Sequence, residues 1–437
     1  MTFDSDVLII GGGPAGSTIG TFLSRKGYSV VLLEKEKHPR FHIGESLLPM
    51  NLPILERLGV LSEMTNIGVT KLGADFTYSD DPLVYRTYKF ERALGESPNH
   101  AFEVKRDIFD NMLLNNCKES GVTVHQKHEV LKVELSKAGT HRILSKDSYE
   151  NGHVWSPRFL VDASGRDALV ASTNGWKKKN PKHSSAAIYG HFTGVDRRPG
   201  ANAGNISVYW FQHGWIWMIP LQGDVMSIGA VCWPDYLKQR HEDTDSFFWK
   251  TLALCPAAYK RSYHAKPASK IRVSGNYSYF TTRLYDKGLL LVGDSFAFID
   301  PVFSSGVYLA MNSAEQGVSI VENWLNGQSY KFAFSCHQYR RKTRKGLQAY
   351  SWFIYRFTSP AMRSLFKNPR NLLQVEQAVT SMLAGDIFLN RNVKLRLRLF
   401  RLIYTISWLL NWKINFLERR RRLRNVGMAI KESDNII

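Results

Sequence analysis

Val7-Leu8-Ile9-Ile10-Gly11-Gly12-Gly13-Pro14-Ala15-Gly16 joins an unbroken apolar tetrad to a glycine turn near the front of a 437-residue chain. The tetrad reads as a parallel strand buried on both faces. Gly11 permits the tight turn, Gly13 lets the main chain approach a pyrophosphate, and Gly16 lets the following helix pack close to the strand. That helix turns free N–H groups and its positive dipole end toward the phosphates. A second strand, Ser29 to Leu33, runs into Glu34, 23 residues after Gly11, near the spacing of about 20 expected for a ribose-binding acid. A comparable turn lies far downstream, where Leu289-Leu290-Leu291-Val292 enters Gly293-Asp294-Ser295 and then Phe298-Ile299-Asp300-Pro301-Val302-Phe303-Ser304-Ser305-Gly306. Two such turns, the second carrying a carboxylate, fit one long dinucleotide gripped at both ends. That ligand is FAD rather than NAD.

The length suits two or three domains with a large core, and 44% hydrophobic with 22% charged residues is ordinary globular composition. The chain enters a strand almost at once, so no secretory signal is visible. Cys117, Cys232, Cys255 and Cys336 lie far apart without metal-type spacing, which reads as reduced thiols and a cytoplasmic location, with no metal expected. The net charge is +20. From Arg391 to Arg424 eleven basic residues accompany one acid, Glu418. A solvated face, a membrane-surface helix and a dock for an acidic protein all fit that run. Nucleic acid does not, because nothing else in the chain reads bases.

Strand periods recur at Phe76-Thr77-Tyr78, Leu83-Val84-Tyr85, Val122-Thr123-Val124 and Lys127 to Leu135. An amphipathic helix opens at Lys105-Arg106 and runs to about Ser120, and Phe159-Leu160-Val161-Asp162 is another buried strand ending in a carboxylate. Residues 175 to 285 read as β-rich and aromatic, 286 to 326 return to the nucleotide-binding core, and 331 to 437 read as basic helices. The expected class is α/β: a Rossmann-like FAD-binding domain over 1–330, an inserted antiparallel sheet (about 74–105 and 175–285) over the substrate side, and a helical, basic C-terminal region. The apolar run Leu402 to Trp412 is 11 residues long. A spanning helix needs about 20, so a packed or interfacial helix is expected.

With these residues in place the chain resembles the flavin-dependent halogenases, within the aromatic-hydroxylase-like FAD enzymes. Gly11-x-Gly13-x-x-Gly16, Arg106, Asp162-Ala163-Ser164-Gly165-Arg166 and Gly293-Asp294 carry the wider resemblance. Three features narrow it. Trp215-Ile216-Trp217-Met218-Ile219-Pro220 matches the halogenase pattern WxWxIP, Phe298-x-x-Pro301-x-x-Ser304-x-Gly306 matches FxxPxxSxG, and Lys71 falls where halogenases carry their catalytic lysine. Pro39-Arg40-Phe41-His42-Ile43-Gly44-Glu45-Ser46-Leu47-Leu48-Pro49 is also halogenase-like. Tryptophan-acting members carry a glutamate where this chain has Phe303, so the likeness is to the phenol and pyrrole type.

The resemblance implies roles. Gly11, Gly13, Pro14, Ala15, Gly16, Glu34 and Lys35 would bind FAD at the first turn, and Arg40, Gly44, Glu45, Ser46, Arg106 and Asp162 would bind it too. Gly293, Asp294, Pro301, Gly306 and Val307 would hold its far end, and Ser305 with Gly306 would cradle chloride or bromide on backbone N–H groups before a helix starting near Val307. Trp215 and Trp217, two apart on a strand and so on one face, would join Phe298 and Ser304 in a wall between flavin and substrate. Lys71 would hydrogen-bond hypohalous acid or carry its halogen, and an apolar site would lower its pKa toward the neutral amine. No second GxGxxG follows a strand, so FADH2 is expected from a separate flavin reductase. The substrate is expected to be an electron-rich aromatic molecule, free or tethered to an acyl carrier protein whose acidity suits the basic chain. An aromatic monooxygenase, a geranylgeranyl-reductase-like lipid reductase with a membrane-facing tail, and a flavin-binding protein without turnover are the competing readings.

Overall fold

The structure, a computed structural model, describes residues 3–434 apart from 276 and 389, with side chains described to 427. The opening tetrad forms the strand Val7–Ile10, buried throughout. It lies at the centre of a six-stranded sheet ordered Tyr285–Asp286, Leu289–Leu291, Phe159–Asp162, Val7–Ile10, Val30–Glu34, Thr123–Gln126. The registers Ile10↔Asp162 and Ile10↔Leu33 are parallel. Only the Tyr285–Asp286 strand runs antiparallel to its neighbour. The first glycine turn feeds the helix Pro14–Ser24, with Pro14 at its first position, where the fixed φ of proline suits helix entry. The helices Arg106–Glu119 and Ser305–Leu325 pack beside it. Apolar side chains from the central strands and these helices make one of three buried clusters.

A second, eight-stranded sheet runs Lys266–Pro267, Ala186–Thr193, Val225–Cys232, Gly214–Leu221, Ile206–Phe211, Gly73–Thr77, Tyr85–Lys89, with Arg272–Ser274 also pairing Ala186–Thr193. Ile206–Phe211 meets Gly73–Thr77 in parallel, and the other pairs are antiparallel. The two-residue alternation of a strand sends Trp215, Trp217 and Ile219 into one cluster and Ile216 and Met218 into another. The second cluster is roofed by helices Pro234–Leu237, Thr244–Ala253 and Pro256–Arg261. The sequence predicts a β-rich stretch here, and the structure inserts helices instead. Short helices carry little periodicity, and their signals are local: proline at the first position of two, and Asp243 accepting from the amides of Asp245 and Ser246 at the third.

Two further pieces position the site. Gly68–Lys71 pairs antiparallel with Ala101–Val104 at Lys71↔Ala101 and Val69↔Glu103. On the other side of Ala101–Val104, the Leu47 amide donates to the Phe102 carbonyl and the Val104 amide to the Glu45 carbonyl. The chain then ends in helices Ser329–Ile354, Pro360–Lys367, Val375–Ala384, Arg391–Leu410 and Trp412–Asp434. Residues 1, 2 and 435–437, at the two ends of the expected domains, lie outside the described residues. No helix among the described residues is long and apolar enough to cross a membrane.

Candidate active site

A cavity of about 550 Å³ runs from the turn of the first strand to the inner face of the second sheet, a size usual for a cofactor site. At one end it is bounded by Gly11, Gly13, Pro14, Ala15, Glu34 and Lys35. Its middle is bounded by Arg40, Gly44, Glu45, Ser46, Arg106 and Asp294. At the far end stand Trp215, Trp217, Phe298, Pro301, Ser304, Gly306 and Val307. Gly16, Lys71, Asp162, Gly293 and Ser305 are not in its wall.

The glycines divide by what surrounds them. A Cβ at Gly16 would stand 1.9 Å from the Gly11 carbonyl oxygen, so this glycine holds helix against strand. At Gly13 the nearest atom would be Arg40 Nη2 at 3.8 Å, and at Gly306 it would be Phe298 Cε2 at 3.7 Å. Those two glycines border open space in the protein itself, as a backbone that must meet a ligand does.

The charged groups of the cavity are already oriented. Glu34 accepts from the amides of Gly12 (2.6 Å) and Glu36 (2.9 Å), which fixes its carboxylate at the strand end. Arg106 is buried. Its Nε and Nη2 donate to Asp110 at 2.8 and 3.0 Å, and Nη1 donates to the carbonyls of Ile43 and Gly44, both at 3.1 Å. It therefore secures the Pro39–Pro49 segment as well as bordering the cavity. Arg40 sits above the first turn, held by Glu36 and Asp110. Lys35 is paired with Asp167 at 2.6 Å. His42 is driven down to about 3 by burial and by Arg106, so it is a neutral ring in the cavity wall. Burial lifts Asp294 to about 6 against the pull of Arg166 and Arg106. Its carboxylate has no hydrogen-bond partner among the described residues, which suits an acid that receives a ligand hydroxyl or N–H. An apolar trough with open glycine cradles at both ends and a waiting carboxylate fits FAD.

Asp162 has a different place from the one its strand-end position suggests. It is fully buried, accepts from the Ser164 amide (3.0 Å) and hydroxyl (2.6 Å) and from the Val170 amide (2.9 Å), and so knits the turn after its strand. The helix of the second turn begins at Ser305, earlier than the sequence suggests, after Ser304 takes a left-handed φ of 54°. Ser305 and Gly306 thus occupy its first turn, where amides have no intrahelical acceptor.

Trp215 and Trp217 stand with ring centroids 5.8 Å apart, both buried. Trp217 Nε1 donates to Ser227 (3.2 Å), and its ring lies over Gly229, where a Cβ would meet it at 2.2 Å. Lys71 is 1% exposed. Its Nζ donates to Ser46 Oγ (2.8 Å) and the Leu47 carbonyl (3.0 Å), so the amine lies one side chain behind the cavity wall. Glu103, diagonal to it in the ladder, brings Oε1 to 3.9 Å. Burial lowers the Lys71 pKa while Glu103 opposes that shift. Burial also pushes Glu103 up to about 7, against the pull of Lys71. Both groups are moved toward their neutral forms.

Sequence reasoning missed Glu103 and His191, and gave Arg166 no role beyond its place in the resemblance. Arg166 borders the cavity and donates to Ser274 (3.1 Å). His191 Nε2 lies 2.5 Å from Glu45 Oε1. The available signal was a lone acid in the otherwise apolar run Ala101-Phe102-Glu103-Val104. Among the described residues one group, His128, Asp147 and His153, offers ligand atoms within 4.8 Å of one another. Asp147 is occupied there by the amides of Tyr149 and Asn151 and by His153, which makes it the organiser of a hairpin turn.

The FAD-binding-domain family matches residues 4–343. The 1H-pyrrole-2-carbonyl-[peptidyl-carrier protein] chlorinase of Pseudomonas fluorescens is 30% identical over 423 residues, covering 90% of this chain and 91% of the relative. The tryptophan 2-halogenase of Chondromyces crocatus is 33% identical over 333 residues, 74% of this chain and 62% of the relative. Among solved structures, the myxobacterial chondrochloren halogenase CndH superposes with a TM-score of 0.76 at 28% identity, over 93% of this chain and 97% of that one. Match, fold and cavity agree: the chain belongs to the flavin-dependent halogenases of the FAD-binding-domain family.

Proposed function

We propose that this enzyme uses reduced FAD, O2 and a halide to halogenate an electron-rich phenolic or pyrrolic ring, with Lys71 directing halogen transfer. The observation that carries the reading is the fully buried Lys71 amine, hydrogen-bonded to Ser46 in the cavity wall. Bound as FADH2, the flavin would supply the two-electron oxidation by O2 that turns halide into hypohalous acid. The chain's own residues do the rest. Gly13 and the helix start behind it receive the pyrophosphate, Arg40 covers it, and Asp294 takes a polar group of the cofactor. The first-turn amides at Ser305 and Gly306 hold the halide. Trp215, Trp217 and Phe298 exclude water and keep the organic ring off the flavin. Ser46 and the Leu47 carbonyl accept hydrogen bonds from Lys71, which holds the amine while the lone pair of its neutral form accepts the oxidant's hydrogen bond or takes its halogen and presents it to the ring. A separate reductase supplies FADH2. The pyrrole chlorinase is named for a ring carried on a peptidyl-carrier protein, and the net charge of +20 suits an acidic carrier. A cytoplasmic location is part of the proposal, consistent with four buried free cysteines.

The test is reconstitution with a flavin reductase, O2 and either chloride or bromide, offering free and carrier-loaded phenols and pyrroles. Chlorine or bromine isotope doublets in the product mass spectrum are expected. A hydroxylated product that is never halogenated would instead make the enzyme an aromatic monooxygenase, and turnover without O2 would make it a reductase.

Glu103 gives the lysine role a pH signature. Its charge raises the Lys71 pKa, so Glu103→Gln lowers that pKa further and populates the neutral amine at lower pH. The acidic limb of the halogenation profile should move to lower pH, with FAD affinity unchanged. A profile that stays in place removes Glu103 from control of the amine.

A further inference from the structure

The Arg391–Leu410 helix buries Val393, Leu397, Phe400 and Tyr404 against the body of the protein. Its opposite stripe, Leu395, Leu402, Ile406 and Leu409, is exposed. Leu410 ends that helix 78% exposed, and beyond Asn411 the next helix continues the apolar surface, with Trp412 54%, Ile414 60% and Leu417 65% exposed. Around them Arg398, Lys413, Arg419, Arg420 and Arg424 are exposed, and Glu418 is the one acid from Arg391 to Arg424.

We propose that this corner docks onto an anionic lipid surface. Large apolar side chains including a Trp, protruding between arginines, are what an interfacial helix pair offers to headgroups and acyl chains. A patch this apolar on an isolated chain calls for a partner. A symmetric second copy would set the same arginines against each other with Glu418 alone to compensate. A nucleic acid would leave the leucines and Trp412 without contacts. Since no helix among the described residues is long and apolar enough to span a membrane, the contact lies in the plane of the interface. The same helical layer reaches the substrate side: Trp210 Nε1 donates to the Phe357 carbonyl, Phe357 packs edge-on to Trp215, and Asn415 caps the Pro360–Lys367 helix at the Ala361 amide. Docking would therefore place the substrate side of the enzyme near the bilayer.

The full-length protein is sedimented with vesicles of phosphatidylcholine alone and of phosphatidylcholine with phosphatidylglycerol, at low and high salt. Association with the anionic vesicles alone is expected, weakening as salt rises. The triple variants Leu409→Ser/Leu410→Ser/Trp412→Ser and Arg419→Ala/Arg420→Ala/Arg424→Ala should each weaken it on the order of a hundredfold. Thermal melting and FAD uptake should stay as in the parent protein, since all six residues are exposed. Four outcomes would overturn the proposal: no binding to anionic vesicles, equal binding by the variants, a solution dimer that the apolar variant splits, or a carrier protein that loses binding to the variants while vesicles never bind. None of these readings depends on the reaction catalysed.

Discussion

Lys71→Met should cut halogenation of the organic substrate by on the order of a thousandfold, while oxidation of reduced flavin and release of free hypohalous acid continue. The split follows from position. Lys71 borders no part of the cavity directly and meets its wall through Ser46. Its loss leaves the glycine turns, Asp294 and the Ser305–Gly306 amides untouched. Methionine keeps the length and most of the volume of the buried side chain, so little cavity opens. What it removes is the cation 3.9 Å from Glu103. An unpaired buried charge costs about 3–5 kcal/mol, but Glu103 already sits at about 7 and escapes that cost by staying protonated. Losing the lysine raises it further. Both proteins lose stability as pH rises from the ordinary carboxylate range toward 7, but above 7 the parent levels off while the variant keeps losing it, because its folded state still holds the Glu103 proton that the unfolded chain has shed. The double variant Lys71→Met/Glu103→Gln should recover that stability without recovering activity. Product mass spectrometry, a hypohalous-acid trap and thermal melts across pH separate the three effects. Product formation retained in Lys71→Met at the parent rate would end the lysine-directed mechanism and favour halogenation by freely diffusing acid.

What the sequence made legible was what local chemistry spells out. Val7–Ile10 and Leu289–Leu291 are strands because a run of four apolar residues precedes glycine in each case. Alternation in Trp215-Ile216-Trp217-Met218 puts both indoles on one face, and both lie in one buried cluster with their rings 5.8 Å apart. Contacts set by long-range register were not legible. Lys71 and Glu103 meet because Gly68–Lys71 pairs with Ala101–Val104 in one particular alignment, and a slip of one residue would turn the acid to the other face. Asp162 shows the converse failure. A carboxylate at a strand end looks the same in sequence whether it faces a ligand or the amides of its own turn, and here it takes the amides.

Gly13→Ala and Gly306→Ala should leave the unliganded protein folded and spoil it for its ligands, whereas Gly16→Ala should damage the fold itself. Gly16 has no room, because the new methyl would overlap the Gly11 carbonyl at 1.9 Å. Gly13 has a φ of −74°, which alanine adopts freely, and its nearest neighbour would be 3.8 Å away. Gly306 lies in a helical first turn with 3.7 Å to Phe298, where alanine is intrinsically better than glycine by about 1 kcal/mol. Melting temperatures of both variants without FAD should thus equal or exceed the parent value. The cost appears only on binding. A methyl at residue 13 occupies the path of the pyrophosphate, and overpacking of about 1–3 kcal/mol means FAD affinity weaker by roughly ten- to a hundredfold. A methyl at residue 306 crowds the halide and the flavin edge, so the halide KM should rise by at least about tenfold in the variant, with FAD affinity less affected than in Gly13→Ala. Equilibrium FAD titration and halide-dependent initial rates read the two constants separately. If Gly13→Ala bound FAD as tightly as the parent, the open space at that turn would not be where the pyrophosphate lies, and the orientation of the cofactor in the cavity would have to be reversed.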